Sequence, residues 1–96
     1  RGYWFLKRAQ RDQPKEIRII LGLVENRALA ERPTEAQEFA SQLLVLRDLP
    51  TIQNMLQTLR TDYTSPPIDI DLIVPFIVQA ANEQVSKLTS RLTVQP

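Results

Sequence analysis

Prolines divide this chain into segments whose apolar residues recur at helical spacing. Pro14, Pro50 and Pro75 each stand near the start of such a segment, where a helix loses nothing by the missing backbone N–H. The consecutive Pro66 and Pro67 do not fit inside a helix, so they mark a loop. Between these points the apolar residues repeat every three or four positions instead of alternating as in a half-buried strand. The sequence therefore predicts an all-α fold.

Four main helices and a short leading helix account for most of the chain. We place the leading helix within residues 2–11 and the main helices at residues 14–31, 35–47, 51–61 and 71–92. Because the connections are short, neighbouring helices should pack antiparallel. The prediction is a small antiparallel bundle of four main helices over residues 13–96, preceded by a basic-aromatic leading segment over residues 1–12.

The predicted helix starts lie at residues that can satisfy free backbone N–H groups. Asp12, Asp48 and Asp71 each precede a helical segment and are suitable N-cap residues. Thr34 and Gln37 form the T-x-x-Q pattern of a capping box. Residues 68–71 alternate apolar and acidic side chains, so a short extended piece before the last helix is also compatible with the sequence.

The apolar stripes of these helices predict the core. The residues on which it should depend most are Phe39, Leu43, Ile52, Leu56 and Ile77. The apolar run at residues 17–24 also fits a buried strand, but its continuation over residues 25–32 favours a helix with apolar residues on two sides. Such a helix usually lies at the centre of its domain.

The composition excludes several kinds of chemistry. The 96 residues include no Cys and no His, which rules out disulfides, thiol nucleophiles, imidazole acid–base catalysis and zinc sites built on these ligands. The remaining carboxylates, Lys and Tyr form no visible constellation, so we expect no enzyme activity, no cofactor and no metal. No stretch is long and apolar enough to span a membrane, and we expect a cytoplasmic location, free or at a membrane surface. Because the chain begins at Arg1, we expect a fragment or a processed form.

The leading segment combines aromatic and basic side chains. Its candidate partner-binding residues are Tyr3, Trp4, Phe5, Lys7, Arg8 and Arg11. Aromatic rings favour the membrane–water interface, and basic groups are drawn to anionic headgroups. The segment would then be a docking element for an anionic membrane or an acidic partner, separate from the folding unit. The alternative is that the rings pack onto the bundle while the basic groups stay solvated.

The last helix carries a second candidate surface. Its apolar residues follow the 4-3-4-3-4 spacing of a coiled-coil seam: Val74, Val78, Ala81, Val85, Leu88 and Leu92. This stripe can face the core of its own domain or a partner helix, since both arrangements bury the same residues. We expect the second half, with Val85, Leu88 and Leu92, to bind a protein partner or a second copy of the chain, because a domain of this size has a limited core.

Two further patterns are weaker. The helices at residues 35–47 and 51–61 are joined as in a helix–turn–helix motif, with Gln53, Asn54 and Gln57 available for bases and Arg60 for a phosphate. The second helix has one basic residue and the turn contains proline, so an ordinary helical hairpin is favoured and a nucleic-acid partner is not expected.

An acidic pair is the other weak pattern. Asp69 and Asp71 are spaced to share a divalent ion, but no third ligand or shaping glycine is nearby in the sequence. Helix capping and compensation of the helix dipole explain both residues more simply.

Together these features predict a non-catalytic helical protein–protein interaction module, such as an adaptor, assembly or regulatory domain. Two alternatives stay open. One is a membrane-proximal soluble domain that docks through its basic-aromatic N-terminus. The other is a small helix–turn–helix DNA-binding protein.

Overall fold

The predicted all-α fold is confirmed by a computed structural model that describes residues 2–62 and 67–94, with side chains described up to residue 89 in the second range. Within these ranges the chain forms five helices and no strand: α1 (Tyr3–Asp12), α2 (Ile17–Leu29), α3 (Pro33–Leu46), α4 (Leu49–Thr61) and α5 (Ile70–Val94). The alternative of a strand at residues 17–24 is wrong, since these residues lie within α2.

The helices pack around a centre formed by α2, α3 and α5. The most extensive contact joins α2 to α3, and α3 also packs broadly against α5. The first helix, α1, lies against α2, while α4 makes smaller contacts with α3 and α5. The bundle is therefore built on three helices, with α1 added on one side and α4 on another.

The central position of α2 follows from its sequence. Its apolar residues point in several directions, and Ile20, Leu21, Leu23 and Val24 are all 1% exposed or less. A single neighbouring helix covers only one stripe, so a helix with this pattern needs neighbours on more than one side. Contacts of α2 with α1, α3 and α5 meet this requirement.

The five residues predicted to carry the core are all buried. Their exposed fractions are 6% for Phe39, 0% for Leu43, 0% for Ile52, 6% for Leu56 and 2% for Ile77. They come from three different helices and belong to one continuous apolar cluster. The helical phasing read from the sequence is therefore correct for α3, α4 and the first half of α5.

The predicted cap of α4 at Asp48 is confirmed, although the helix begins at Leu49 and not at residue 51, and the predicted caps of α2 and α3 are wrong. Asp48 accepts a hydrogen bond from the Thr51 backbone N–H at 3.0 Å. Hydrogen bonds from the side chain and backbone of Thr51 hold the pKa of the Asp48 carboxyl below its usual range. For α2, the cap is Glu16, whose carboxylate accepts from the Arg18 N–H at 3.3 Å, and Asp12 is the last residue of α1.

The third helix begins one residue before the predicted capping box. Pro33 is its first residue, and the preceding Arg32 makes no side-chain capping hydrogen bond. The fixed φ of proline suits a first helical position, so Pro33 starts the helix and places Thr34 inside it. A capping box at Thr34 and Gln37 is therefore wrong.

The last helix also begins earlier than predicted. Its first residue is Ile70, and the Asp69 carboxylate accepts a hydrogen bond from the Leu72 N–H at 3.2 Å. Asp69 therefore caps this helix, and Asp71 lies inside its first turn. Pro75 lies inside the helix, which is described as far as Val94.

The turn between α2 and α3 contains a residue in the left-handed region. Glu31 has a φ of 58°, and its N–H donates to the Ala28 carbonyl at 3.1 Å. The N–H of Arg32 donates to the Arg27 carbonyl at 2.8 Å. These two bonds define a Schellman motif, in which glycine usually occupies the left-handed position. A glutamate at this position carries the steric cost of an L-residue with positive φ.

We expect Glu31→Gly to stabilise the protein by up to about 1 kcal/mol, because glycine adopts the left-handed conformation without the Cβ clash. Glu38→Gly is the matched control, since Glu38 is exposed and lies within α3. The control variant should lose about 1 kcal/mol of folding stability, because glycine is unfavourable in a helix interior. Urea unfolding of both variants measures the difference. Destabilisation of equal size in both variants would contradict the left-handed conformation of Glu31.

The core prediction is tested by a pair of leucines. Leu43→Ala should destabilise the protein by about 2–5 kcal/mol, because the side chain is fully buried and its removal leaves a cavity. Leu29→Ala is the matched control, because Leu29 is 67% exposed, and its effect should stay within about 0.5 kcal/mol. Thermal melting of both variants checks this. Similar melting temperatures for the two variants would show that the packing of α3 is misassigned.

Candidate interaction surfaces

The inner face of α1 belongs to the folded body. Tyr3 and Leu6 are half-buried and pack against the core cluster. A Cβ atom added to Gly22 would lie 3.3 Å from the Leu6 Cδ2 atom, so glycine at this position allows α1 to approach α2 closely. Tyr3 therefore packs onto the bundle, as the alternative interpretation of the leading segment expected, and is not part of the exposed surface. The predicted division of the chain at residue 12 stays a prediction.

Arg27 connects three helices at this end of the bundle. Its guanidinium lies over the Tyr3 ring, 3.8 Å from the ring centroid. It also donates to Glu35 on α3 at 3.3 Å and to the neighbouring Asn26 at 2.6 Å. With 13% of its side chain exposed, Arg27 is held by both charge and ring contacts. Sequence reasoning missed this residue, since an arginine in the last turn of a helix also fits dipole compensation.

The outer face of α1 exposes the other aromatic residues. Trp4 is 80% exposed and Phe5 is 57% exposed. Arg8 and Arg11 follow Trp4 at i+4 and i+7, so helical geometry places all three on one face, and both arginines are exposed. The structure thus brings together exposed aromatic and basic side chains from the sequence prediction, without Tyr3.

A groove of about 500 Å³ lies beside this face, between α1 and α3. Lys7 is half-buried at its edge, with its ammonium 5.3 Å from the Phe39 ring centroid. The Gln10 side-chain amide donates to Gln42 on α3 at 2.6 Å, an exposed contact that bridges the groove. Lys7 therefore places a positive charge beside the groove.

The stripe on α5 divides into a covered half and an exposed half. Val74 and Ala81 pack partly against the core cluster. Beyond them, residues 82–89 are all exposed, including Val85 at 61% and Leu88 at 59%. Val78, which stands between Val74 and Ala81 in the chain, is 45% exposed, so the covered half is itself only partly covered. The Leu92 side chain lies outside the described residues.

The residues of the possible helix–turn–helix motif are arranged unfavourably for binding DNA. Gln53, Asn54 and Gln57 are exposed on α4. Arg60, the residue expected to contact a phosphate, donates to the Asp71 carboxylate at 2.7 Å. This contact neutralises the basic side chain expected to bind the backbone of DNA, so DNA binding stays a prediction without further support.

The acidic pair is held by protein groups. Asp69 caps α5, and its own N–H donates to the Glu25 carboxylate on α2 at 2.7 Å. Asp71 accepts from Arg60. Over the described ranges, no group of three or more acidic residues is placed to hold a metal ion.

No known protein family, curated protein or solved structure matches this chain. None of the described helices combines the length and the apolar character needed to cross a membrane.

The inner and outer faces of α1 are distinguished by two adjacent aromatic residues. We expect Tyr3→Ala to destabilise the protein by about 1–3 kcal/mol, because it removes a half-buried ring and the contact with Arg27. Trp4→Ala is the matched control and should change stability by no more than about 0.5 kcal/mol, since its ring is 80% exposed. Chemical denaturation measures both. A larger loss in Trp4→Ala than in Tyr3→Ala would show that α1 is rotated relative to this description.

Proposed function

We propose that this protein is a non-catalytic helical interaction module that pairs with a second copy of itself through the C-terminal half of α5. The observation that carries the proposal is the exposure of Val85 and Leu88, at 61% and 59%, on a helix segment whose residues 82–89 are exposed on all sides. The proposed surface, named here the α5 stripe, consists of Val85 and Leu88, with the partly exposed Val78 from the first half of the helix at its start.

The length of α5 supports this proposal. The helix has 25 residues, which corresponds to about 37 Å at 1.5 Å per residue. The molecule measures 52 × 27 × 25 Å, so the helix is longer than either short dimension. Its second half therefore extends past the helices that cover its first half. A helix segment without packed neighbours is marginally stable in water, and a partner helix would stabilise it.

The spacing of the stripe fits a helix as its partner. Val78, Ala81, Val85 and Leu88 occupy successive positions of a heptad seam, in which each side chain inserts between residues of the facing helix. The half-exposed Val78 and half-buried Ala81 connect this seam to the core. Pairing would therefore extend the existing apolar core instead of forming a separate contact.

A second copy is the partner that the flanking residues favour. Of the residues that flank the stripe, Asn82, Gln84 and Thr89 are uncharged and Arg91, beyond Leu88, is basic. Over residues 82–89, two copies therefore meet without like charges beside the seam. The charged Glu83 and Lys87 lie on the opposite side of the helix by their heptad positions. A seam of about two heptads buries less surface than the roughly 800 Å² per partner of a standard interface. The dimer should therefore be weak and concentration-dependent.

We expect Leu88→Asp to raise the dimer dissociation constant at least about tenfold, equivalent to about 1.4 kcal/mol, because it places an unpaired carboxylate in the seam. Ser86→Asp is the matched control, since it adds the same charge at an exposed position off the stripe. Sedimentation equilibrium from micromolar to millimolar concentration measures association, and thermal melting confirms folding. Because Leu88 does not contribute to the core, the Leu88→Asp monomer should remain folded.

Two results would overturn this proposal. A parent chain that stays monomeric up to millimolar concentration would show that no second copy occupies the stripe. Equal weakening in Leu88→Asp and Ser86→Asp would show that association depends on net charge and not on this seam.

A further inference from the structure

We propose that the outer face of α1 docks the protein onto an anionic lipid surface. This face, named here the α1 face, consists of the exposed residues Trp4, Phe5, Arg8 and Arg11, with the half-buried Lys7 at its edge. It is separate from the α5 stripe and does not depend on pairing through it.

The charge of α1 is the first argument. The helix has no acidic residue before Asp12, its last residue, while Lys7, Arg8 and Arg11 provide three positive charges within two turns. The chain as a whole has a net charge of only +1, so this positive charge is a local feature. Anionic headgroups attract such clusters, and each basic residue near the surface contributes about fivefold to the partition coefficient.

The exposed rings are the second argument. Trp4 and Phe5 are 80% and 57% exposed, whereas Tyr3 is directed towards α2 and Arg27. When a helix lies in the plane of the membrane, its aromatic side chains bury their apolar surface at the boundary between headgroups and acyl chains. Because Trp4, Arg8 and Arg11 share one face, the Trp4 ring can enter this boundary while the guanidinium groups contact lipid phosphates.

The rigidity of the helix is the third argument. The packing of α1 on α2, with Leu6 beside Gly22, holds the helix on the folded body, and Gln10 adds a surface hydrogen bond to Gln42 on α3. The α1 face is therefore presented by a folded body, and docking requires little ordering of the chain. Nucleic-acid binding is less favoured, since a dedicated binder usually has a more extended basic surface.

Trp4 is the sole tryptophan of the chain, so its fluorescence reports on this face directly. We expect vesicles of phosphatidylcholine with about 30% phosphatidylserine to shift the Trp4 emission to shorter wavelength and to retain the protein on co-sedimentation. Pure phosphatidylcholine vesicles should give neither effect. Raising the salt from about 0.1 M to about 1 M should release the protein, because the screening length falls from about 10 Å to about 3 Å.

The charge variants identify the face. Arg8→Gln with Arg11→Gln should lower the partition coefficient about 25-fold, from two contributions of about fivefold each. Arg47→Gln with Lys87→Gln is the matched control, because both residues are exposed, lie outside α1 and give the same change in net charge. Trp4→Ala should also lower co-sedimentation, and thermal melting should show that every variant is folded.

Several outcomes would overturn the proposal. These are the absence of binding to the anionic vesicles, an equal loss of binding in the two charge variants, or an emission shift with a single-stranded oligonucleotide but not with vesicles. The Leu88→Asp variant separates this test from the proposed self-association. It should bind the vesicles through the same face, whether or not the parent chain pairs.

Discussion

The burial of α2 on more than one side is the constraint on which the rest of the structure depends. Ile20, Leu21, Leu23 and Val24 point in different directions from this helix, and each is almost fully removed from water. Because one partner helix covers a single stripe, α1, α3 and α5 must all contact α2. The positions of these three helices, and therefore of both proposed interaction surfaces, follow from covering α2.

This constraint also fixes the orientation of α1. Leu6 occupies the space that Gly22 leaves open on α2, and Tyr3 lies against Arg27, so one side of the helix is committed to the core. A short helix has no freedom to bury its remaining aromatic residues as well. Trp4 and Phe5 are consequently exposed beside basic side chains. The same packing that stabilises α1 thus creates the face that we propose docks onto lipid.

The exposed half of α5 results from a difference in helix length. The helices that cover it, α2 and α3, have 13 and 14 residues, whereas α5 has 25. The shorter helices cover one half of the stripe, so Val85 and Leu88 extend past them. An apolar pattern that continues beyond the available core is the physical basis for proposing a partner there.

The sequence by itself determined the helical class, the core residues such as Leu43 and Ile52, and the cap at Asp48, because periodicity and capping depend on residues close in the chain. The starts of α2 and α5 were harder to predict, because several acidic residues near each start compete as N-caps. The backbone geometry places Glu16 and Asp69 at the caps instead of the predicted residues. The sequence favoured the second half of the α5 stripe as the partner-binding half, but where the cover of this helix ends, and which side of α1 faces α2, was decided only by the tertiary structure. Burial depends on the relative lengths and positions of helices distant in sequence, and no local pattern contains that information.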